Sequence, residues 1–289
     1  MEFELYVPQM RLSGEAMVAR AQAAEASGFH GMAGMDHLAP PLAESQPMLS
    51  SMVTNTWLAA HTSALVLSSL VLCDSFRHPA ILAQEAASLD SLSNGRFELG
   101  IGWGSVVDEM VAFDIASPDA KTRVARLRDS LVIMKALWSG ERVDYDGEVF
   151  SLTAAQQGLV PLFKIPIVIG GFGPQTLKLV AEHADWWNVA VNGIDRLEEM
   201  RAHAGKARVS IQQMVGFVPS EADRDEVVAN TARRFGPMGG PKVGDAAELV
   251  DYFGELERQG IERVYTWFSD FARPETIEAF GEQVIAQLT

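Results

Sequence analysis

The stretch Arg77–Gly104, RHPAILAQEAASLDSLSNGRFELGIGWG, restricts this chain most, because its hydrophobic period changes midway. Pro79 sits where a first helical residue has no intrahelical bond to lose. Leu82, Ala86, Leu89 and Leu92 recur at helical spacing and predict one apolar face. Asn94-Gly95 ends the helix with residues that tolerate positive φ. From Arg96 the period is two, with Phe97, Leu99 and Ile101 on one face and Glu98, Gly100 and Gly102 on the other. Bulk on one face and glycine on the other suits a sheet with helices outside and a crowded or occupied interior. Glycines at the strand's C-terminal end leave room for something flat to approach the backbone.

The same alternation runs through the chain. Strands are predicted at Phe3–Val7, Phe29–Met35, Ser63–Cys73, Arg96–Gly102, Ile165–Ile169, Asp185–Val191, Val209–Val218 and Ile261–Phe268. Ser63–Cys73 is nearly continuous in hydrophobicity, as a strand buried on both faces is. Helices lie between them; one is capped by Ser13 and stopped by Gly28, and two follow the seventh strand, separated by the flexible GPMGGPKVG. Strands alternating with helices pair in parallel. Eight such units predict an α/β fold, a (β/α)8 TIM barrel, as a single domain over residues 1–289. Arg142–Leu152 alternates around Asp146-Gly147 and reads as a type I′ β-hairpin inserted outside the repeat.

With 48% hydrophobic and 21% charged residues the chain can bury a large core. Its formal charge of −15 argues against nucleic acid and anionic membrane as partners. Cys73 is the one cysteine, so no intrachain disulfide or cysteine-based zinc site is expected, and a reducing cytoplasm is the plain inference. No His/Asp/Glu group has metal-ligand spacing, and none is expected to hold a metal. The opening MEFELYVPQM is acidic and quickly polar, unlike a signal peptide. No apolar run reaches the ~20 residues of a membrane helix.

In a barrel of this kind sites lie at the C-terminal ends of the strands. Asp36-His37 ends the second strand. The histidine can serve as acid or base or bond a ligand, with Asp36 fixing its tautomer; the plainer reading is a loop cap and a loop histidine. Ile169-Gly170-Gly171-Phe172-Gly173-Pro174 runs from a strand into a helix, either as a phosphate cradle or as a turn that only needs positive φ. Ser68 and Ser69 interrupt an apolar strand and need partners in the interior. Trp103-Gly104-Ser105, with Asp108 and Glu109, follows the fourth strand, and Trp186, Trp187, Asn188 and Asn192 the sixth. Arg77 either pairs with a carboxylate at the mouth or holds a ligand. There is no G-x-S-x-G elbow, and Cys73 lies in an apolar strand where thiols are inert.

The Arg-His-Pro run, the alanine-rich helix, the Leu-Ser-x-Gly-Arg-Phe turn and the Leu-Gly-x-Gly strand resemble the bacterial-luciferase-like flavin oxidoreductases, and the resemblance covers roughly the whole chain. It implies reduced FMN or coenzyme F420 at the mouth, His37 as an active-site histidine and Gly170-Gly171 against the cofactor's phosphate-bearing side chain. Phe172 and Gly173 belong to that segment, Gln175 and Thr176 can add hydrogen bonds to it, and Trp103 either walls the pocket or only covers the barrel rim. It also implies a non-proline cis peptide near Leu70-Val71, beside Ser69, behind the ring. Some family members that use F420 carry a glutamate where Ser105 stands, so the chain departs there from the sugar-phosphate dehydrogenase pattern. The small-molecule substrate is oxygenated with FMN, or exchanges a hydride with F420. A homodimer through the helices after strands two and three is implied, with the Met-rich Pro47–Met52 stretch at that interface or acting as a lid. Two rivals stand beside this: a cofactor-free or metal-dependent lyase or isomerase acting on a phosphorylated substrate, with His37 as base, and a non-catalytic flavin-binding barrel.

Overall fold

Helices and strands follow one another much as the residue periods dictate. The computed structural model describes every residue except Leu42, Glu44, Ser117 and Thr289. The chain begins β1 (Glu2–Tyr6), α1 (Gly14–Ala26), β2 (Gly31–Gly34), α2 (Ser51–Ala59), β3 (Val66–Ser69), β4 (Leu72–Cys73), α3 (Pro79–Ser93) and β5 (Leu99–Gly102). It continues α4 (Val107–Ala112), α5 (Ala120–Leu137), β6 (Val143–Asp146), β7 (Ser151–Ala155), β8 (Ile167–Gly170), α6 (Pro174–His183), β9 (Trp186–Ala190) and α7 (Leu197–Arg201). Last come β10 (Arg208–Phe217), α8 (Arg224–Phe235), β11 (Lys242–Gly244), α9 (Ala246–Arg258), β12 (Arg263–Phe268) and α10 (Pro274–Gln283).

Nine parallel strands form a nearly closed ring, in the order β3, β2, β1, β12, β10, β9, β8, β5, β4. β3 and β4 are two halves of one stave, so the ring has the eight positions expected of a TIM barrel. A parallel bridge between Leu67 and Phe97 joins β3 to the residues entering β5. The single predicted strand Ser63–Cys73 is thus divided, and the Leu70–Val71 peptide between its halves is cis, where the resemblance put it. β11 was not expected: the end of the GPMGGPKVG linker is a strand that pairs in parallel with Val215–Phe217 of β10.

Local signals hold at several boundaries. The Ser13 hydroxyl accepts from the Ala16 N–H, Gly28 has φ +83°, and Asn94 and Gly95 close α3 at φ +58° and +80°. Two expectations shift. Leu92 is exposed, and Ser93 takes the last buried position of α3, because 82, 86, 89 and 93 lie on one helical face and 92 is turned off it. The hairpin is real, but its turn spans Gly147–Phe150 and is not a two-residue type I′ turn: Asp146 pairs with Ser151. Asp129 of α5 sets this geometry, since its carboxylate accepts from the Val149 N–H (2.7 Å) and the Tyr145 hydroxyl (2.9 Å).

Phe97, Leu99 and Ile101 join the core between sheet and helices, as their alternation predicts. Phe3, Phe253, Phe268 and Phe280 pack edge to face in the same layer. The lower barrel interior is ionic. Arg263, 1% exposed, reaches Glu98 through two bonds (2.6 and 3.1 Å), Glu2 at 2.7 Å and Glu4 at 3.0 Å. Its guanidinium lies 3.8 Å from the centre of the Trp186 ring. Glu4, His30 and Glu98 bring ligand atoms within 4.8 Å of one another, and the positive charge beside them is that of Arg263.

Removing Arg263 leaves buried carboxylates without a counter-charge. Arg263→Met is expected to destabilise the fold by about 3–5 kcal/mol in urea denaturation. Burial pushes the Glu4 carboxyl up to about 8, against the pull of Arg263, from an ordinary 4.5. Between these values the folded chain binds more protons than the unfolded one. The Glu4 contribution is therefore full below about 4.5 and is lost as pH rises through about 8. In Glu4→Gln this part of the slope of stability against pH disappears.

Candidate active site

Five adjacent staves meet at their C-terminal ends around a cavity of about 530 Å³. Tyr6 ends β1. Asp36 and His37 follow β2. Leu70, Val71 and Cys73 come from the divided stave, Trp103 and Ser105 from the turn after β5, and Gly170–Gly173 from the turn after β8. Of the residues singled out from sequence, Asp36, His37, Leu70, Val71, Trp103, Gly170, Gly171, Phe172, Gly173 and Thr176 all line it. Ser69 and Gln175 do not. The Ser69 hydroxyl is bonded to Ser51 (2.6 Å) and Asn55 (3.2 Å), so its polar atom is satisfied behind the wall. Trp186, Trp187, Asn188 and Asn192 also lie off the cavity. The Trp187 N–H donates to the Gly171 carbonyl at 2.7 Å and braces that turn from below.

The two polar residues after β2 have different partners. Asp36 does not orient His37. It accepts from the Cys73 N–H (2.9 Å) and takes both ends of the Arg77 guanidinium at 2.6 and 3.0 Å, tying the β2 loop to the start of α3. Arg77 therefore pairs with a carboxylate. His37 Nδ1 meets Glu109 of α4 at 2.8 Å. The other Glu109 oxygen accepts from the Leu38 and Ala39 N–H groups at 2.6 and 2.9 Å. The carboxylate fixes Nδ1 as the protonated nitrogen and leaves Nε2 free. The sequence puts Glu109 near the site but gives it no role, because α4 has only six residues and no side-chain cap to announce it. Tyr6, Met35, Phe76 and Val106 were not anticipated at all.

The glycines divide by function. A side chain at Gly100 would stand 1.8 Å from the Ser69 carbonyl, and one at Gly102 2.8 Å from Val71 Cγ2. Their room is taken by the Leu70–Val71 bulge, not left for a ligand. At Gly170 the nearest atoms to an added Cβ are Val71 Cγ1 at 3.9 Å and the Asn188 carbonyl at 4.0 Å, so its open face belongs to the cavity. Gly171 has φ +115°, a conformation that favours glycine, and its N–H is held by Asn188 at 3.1 Å. α6 starts after Gly173 with no side-chain cap, which leaves first-turn amides for an anion. An open floor beside an uncapped helix start fits a planar group with an anionic tail.

A family model described as luciferase-like monooxygenase matches residues 6–270. An F420-dependent glucose-6-phosphate dehydrogenase of Mycolicibacterium fortuitum is 32% identical over 93% of this chain and 84% of its own length. Among solved structures, an F420-dependent secondary alcohol dehydrogenase in complex with an F420-acetone adduct superposes with a TM-score of 0.84. It is 19% identical, and the match covers 99% of this chain and 98% of that one. The oxygenating constituent of 3,6-diketocamphane monooxygenase from Pseudomonas putida, in complex with FMN, gives 0.77 at 18% identity, over 99% and 98% of the two chains.

Cys73 lines the cavity with a thiol that burial pushes up from 9.0 to about 11. At pH 8 its thiolate fraction is about a hundredfold below that of the unfolded chain. Alkylation by iodoacetamide, followed by intact mass, should be slower in native protein by about that factor. Labelling at the unfolded rate would contradict a raised thiol at this half-buried position.

Proposed function

The chain belongs to the luciferase-like monooxygenase family, and from that premise we propose that it is an oxidoreductase that holds coenzyme F420 at the C-terminal mouth of its barrel and acts on a small organic alcohol or carbonyl compound. The observation that carries this is the convergence of the His37–Glu109 pair and the side-chain-free floor at Gly170 on one cavity. F420 is preferred because the relative similar over nearly the whole chain is named for it. FMN is the second reading: a structure of the same fold carries FMN, and an open floor with an uncapped helix start serves the flat ring and phosphate of either cofactor.

In this reading Val71 and Leu70 back the ring, Gly170 leaves it room, and the start of α6 with Thr176 receives the phosphate. Bound F420 supplies a site for hydride exchange, and reduced FMN would supply oxygen activation instead. His37 Nε2 takes or returns a hydroxyl proton of the substrate. Glu109 keeps the ring from turning, and Asp36 with Arg77 holds the loop that presents it. A lysine at the C-terminal end of a strand, able to form a Schiff base, would favour the rival lyase or isomerase; Lys164 is paired with Asp185 before β8, at the opposite end of the barrel.

The family resemblance also suggests a homodimer through α2 and α3. Val53 and Trp57 on α2 and Ile81 on α3 are large apolar side chains left 69%, 48% and 54% exposed. A cytoplasmic setting is part of the same proposal, consistent with one unpaired cysteine. Among the described residues no helix is long and apolar enough to cross a membrane.

Anaerobic titration with F420 and with FMN, read by fluorescence, tests the cofactor. Gly170→Leu should abolish binding by filling the floor. His37→Ala should keep cofactor affinity and lose turnover by about 10²- to 10⁴-fold. If wild-type protein binds neither cofactor more tightly than about millimolar, the proposal fails. Trp57→Glu should convert a dimer to monomer in sedimentation velocity; an unchanged species would remove that face from the interface.

A further inference from the structure

The cavity that carries the proposed function offers an anion the uncapped start of α6, and that reading assigns this place to the cofactor's phosphate. Among the described residues that line it there is no lysine or arginine. Leu42, Glu44, Ser117 and Thr289, outside the description, bring no cation either. Two of the charged groups on the wall are carboxylates, and both are already matched: Asp36 by Arg77, and Glu109 by His37 and two backbone amides. The neighbouring arginines sit against other protein groups, and none of them lines the cavity. Arg123 donates to the Pro118 carbonyl and lies over Trp103. Arg234 donates to the Phe268 and Ser269 carbonyls and lies 3.5 Å from the centre of the Phe271 ring. Lys178, Arg196 and His203 line a separate groove of about 630 Å³ that shares only Phe172 and Gly173 with the cavity.

The rest of the wall is uncharged and mostly apolar, with Ser105 and Thr176 as its hydroxyl side chains beside the Tyr6 phenol. Tyr6, Met35, Phe76, Trp103, Val106 and Phe172 present rings and aliphatic surface. A phosphate ester in this space would be stripped of water without gaining a cation, and would face two carboxylates. Burial of an uncompensated charge is strongly unfavourable. A neutral molecule loses little on entry and needs only one polar partner, which His37 Nε2 offers to a hydroxyl or carbonyl oxygen.

Resting on the reading above, we infer that the substrate of this cavity is an uncharged, largely apolar alcohol or ketone, and that phosphorylated sugars are excluded. This separates the chain from its glucose-6-phosphate dehydrogenase relative in substrate class.

Saturation-transfer NMR on protein loaded with F420, or with FMN if that is the cofactor that binds, tests the inference independently of turnover. The probes are cyclohexanol, cyclohexanone and glucose 6-phosphate. The neutral pair should give saturable signals, with glucose 6-phosphate binding at least about tenfold more weakly. A smaller preference, or no binding by either neutral probe, overturns the inference. A cofactor that binds together with a tightly bound phosphate ester overturns the inference alone. If neither cofactor binds, the proposed function falls and the inference falls with it.

Discussion

Arg263 is the contact on which the barrel depends. It enters from β12, lies inside the sheet and joins Glu2 and Glu4 of β1 to Glu98 at the entrance of β5. One guanidinium thereby links three staves across the lower interior. Such a group cannot be left half paired, because each carboxylate it meets has lost its water. Its five donors and planar shape suit several carboxylates at once, where a lysine would offer a point charge. With Trp186 against its face, it closes the lower end of the interior.

Closure below allows openness above. The upper interior on one side is filled by Tyr6, Tyr265 and Trp267, with Leu70 packed against them. On the other side β5 and β8 carry glycine, and there the two strands use it differently. Gly100 and Gly102 admit the Leu70–Val71 bulge into the barrel wall, whereas Gly170 faces the space that the bulge then backs. The same residue type thus makes a wall in one strand and a floor in the next. The cavity is bounded by both on this side and by the ends of β1 and β2 on the other.

Features set by near neighbours could be read from sequence. The Ser13 cap, the Asn94-Gly95 stop, the eight staves and the Gly170 turn each follow from a few consecutive residues. His37 and Gly170 could be placed at the site because barrel strands present their C-terminal ends there. Features set by distant residues could not. His37 and Glu109 lie 72 positions apart, and Asp36, the adjacent carboxylate, looked the better partner. Asp129 moves the hairpin turn from another element. The Arg263 cluster draws on residues 2, 4, 98 and 263, and nothing local distinguishes Glu4 and Glu98 from surface glutamates. Leu92 is a smaller case: a leucine one step off the helical face loses its buried place to a serine.

The exchange of Asp36 for Glu109 as the partner of His37 changes what the site can do. A carboxylate on the same loop would move with the histidine. Glu109 belongs to α4, and besides the ring it holds the Leu38 and Ala39 amides. One side chain therefore fixes both the tautomer of His37 and the path of the loop that carries it, while Asp36 anchors the loop's other end to Arg77. A histidine held at two places by separate elements has a defined free nitrogen and little freedom to swing. Under the proposed function, that suits proton exchange with one small hydroxyl beside a planar cofactor, since the reacting atoms would have to meet in one geometry each turnover.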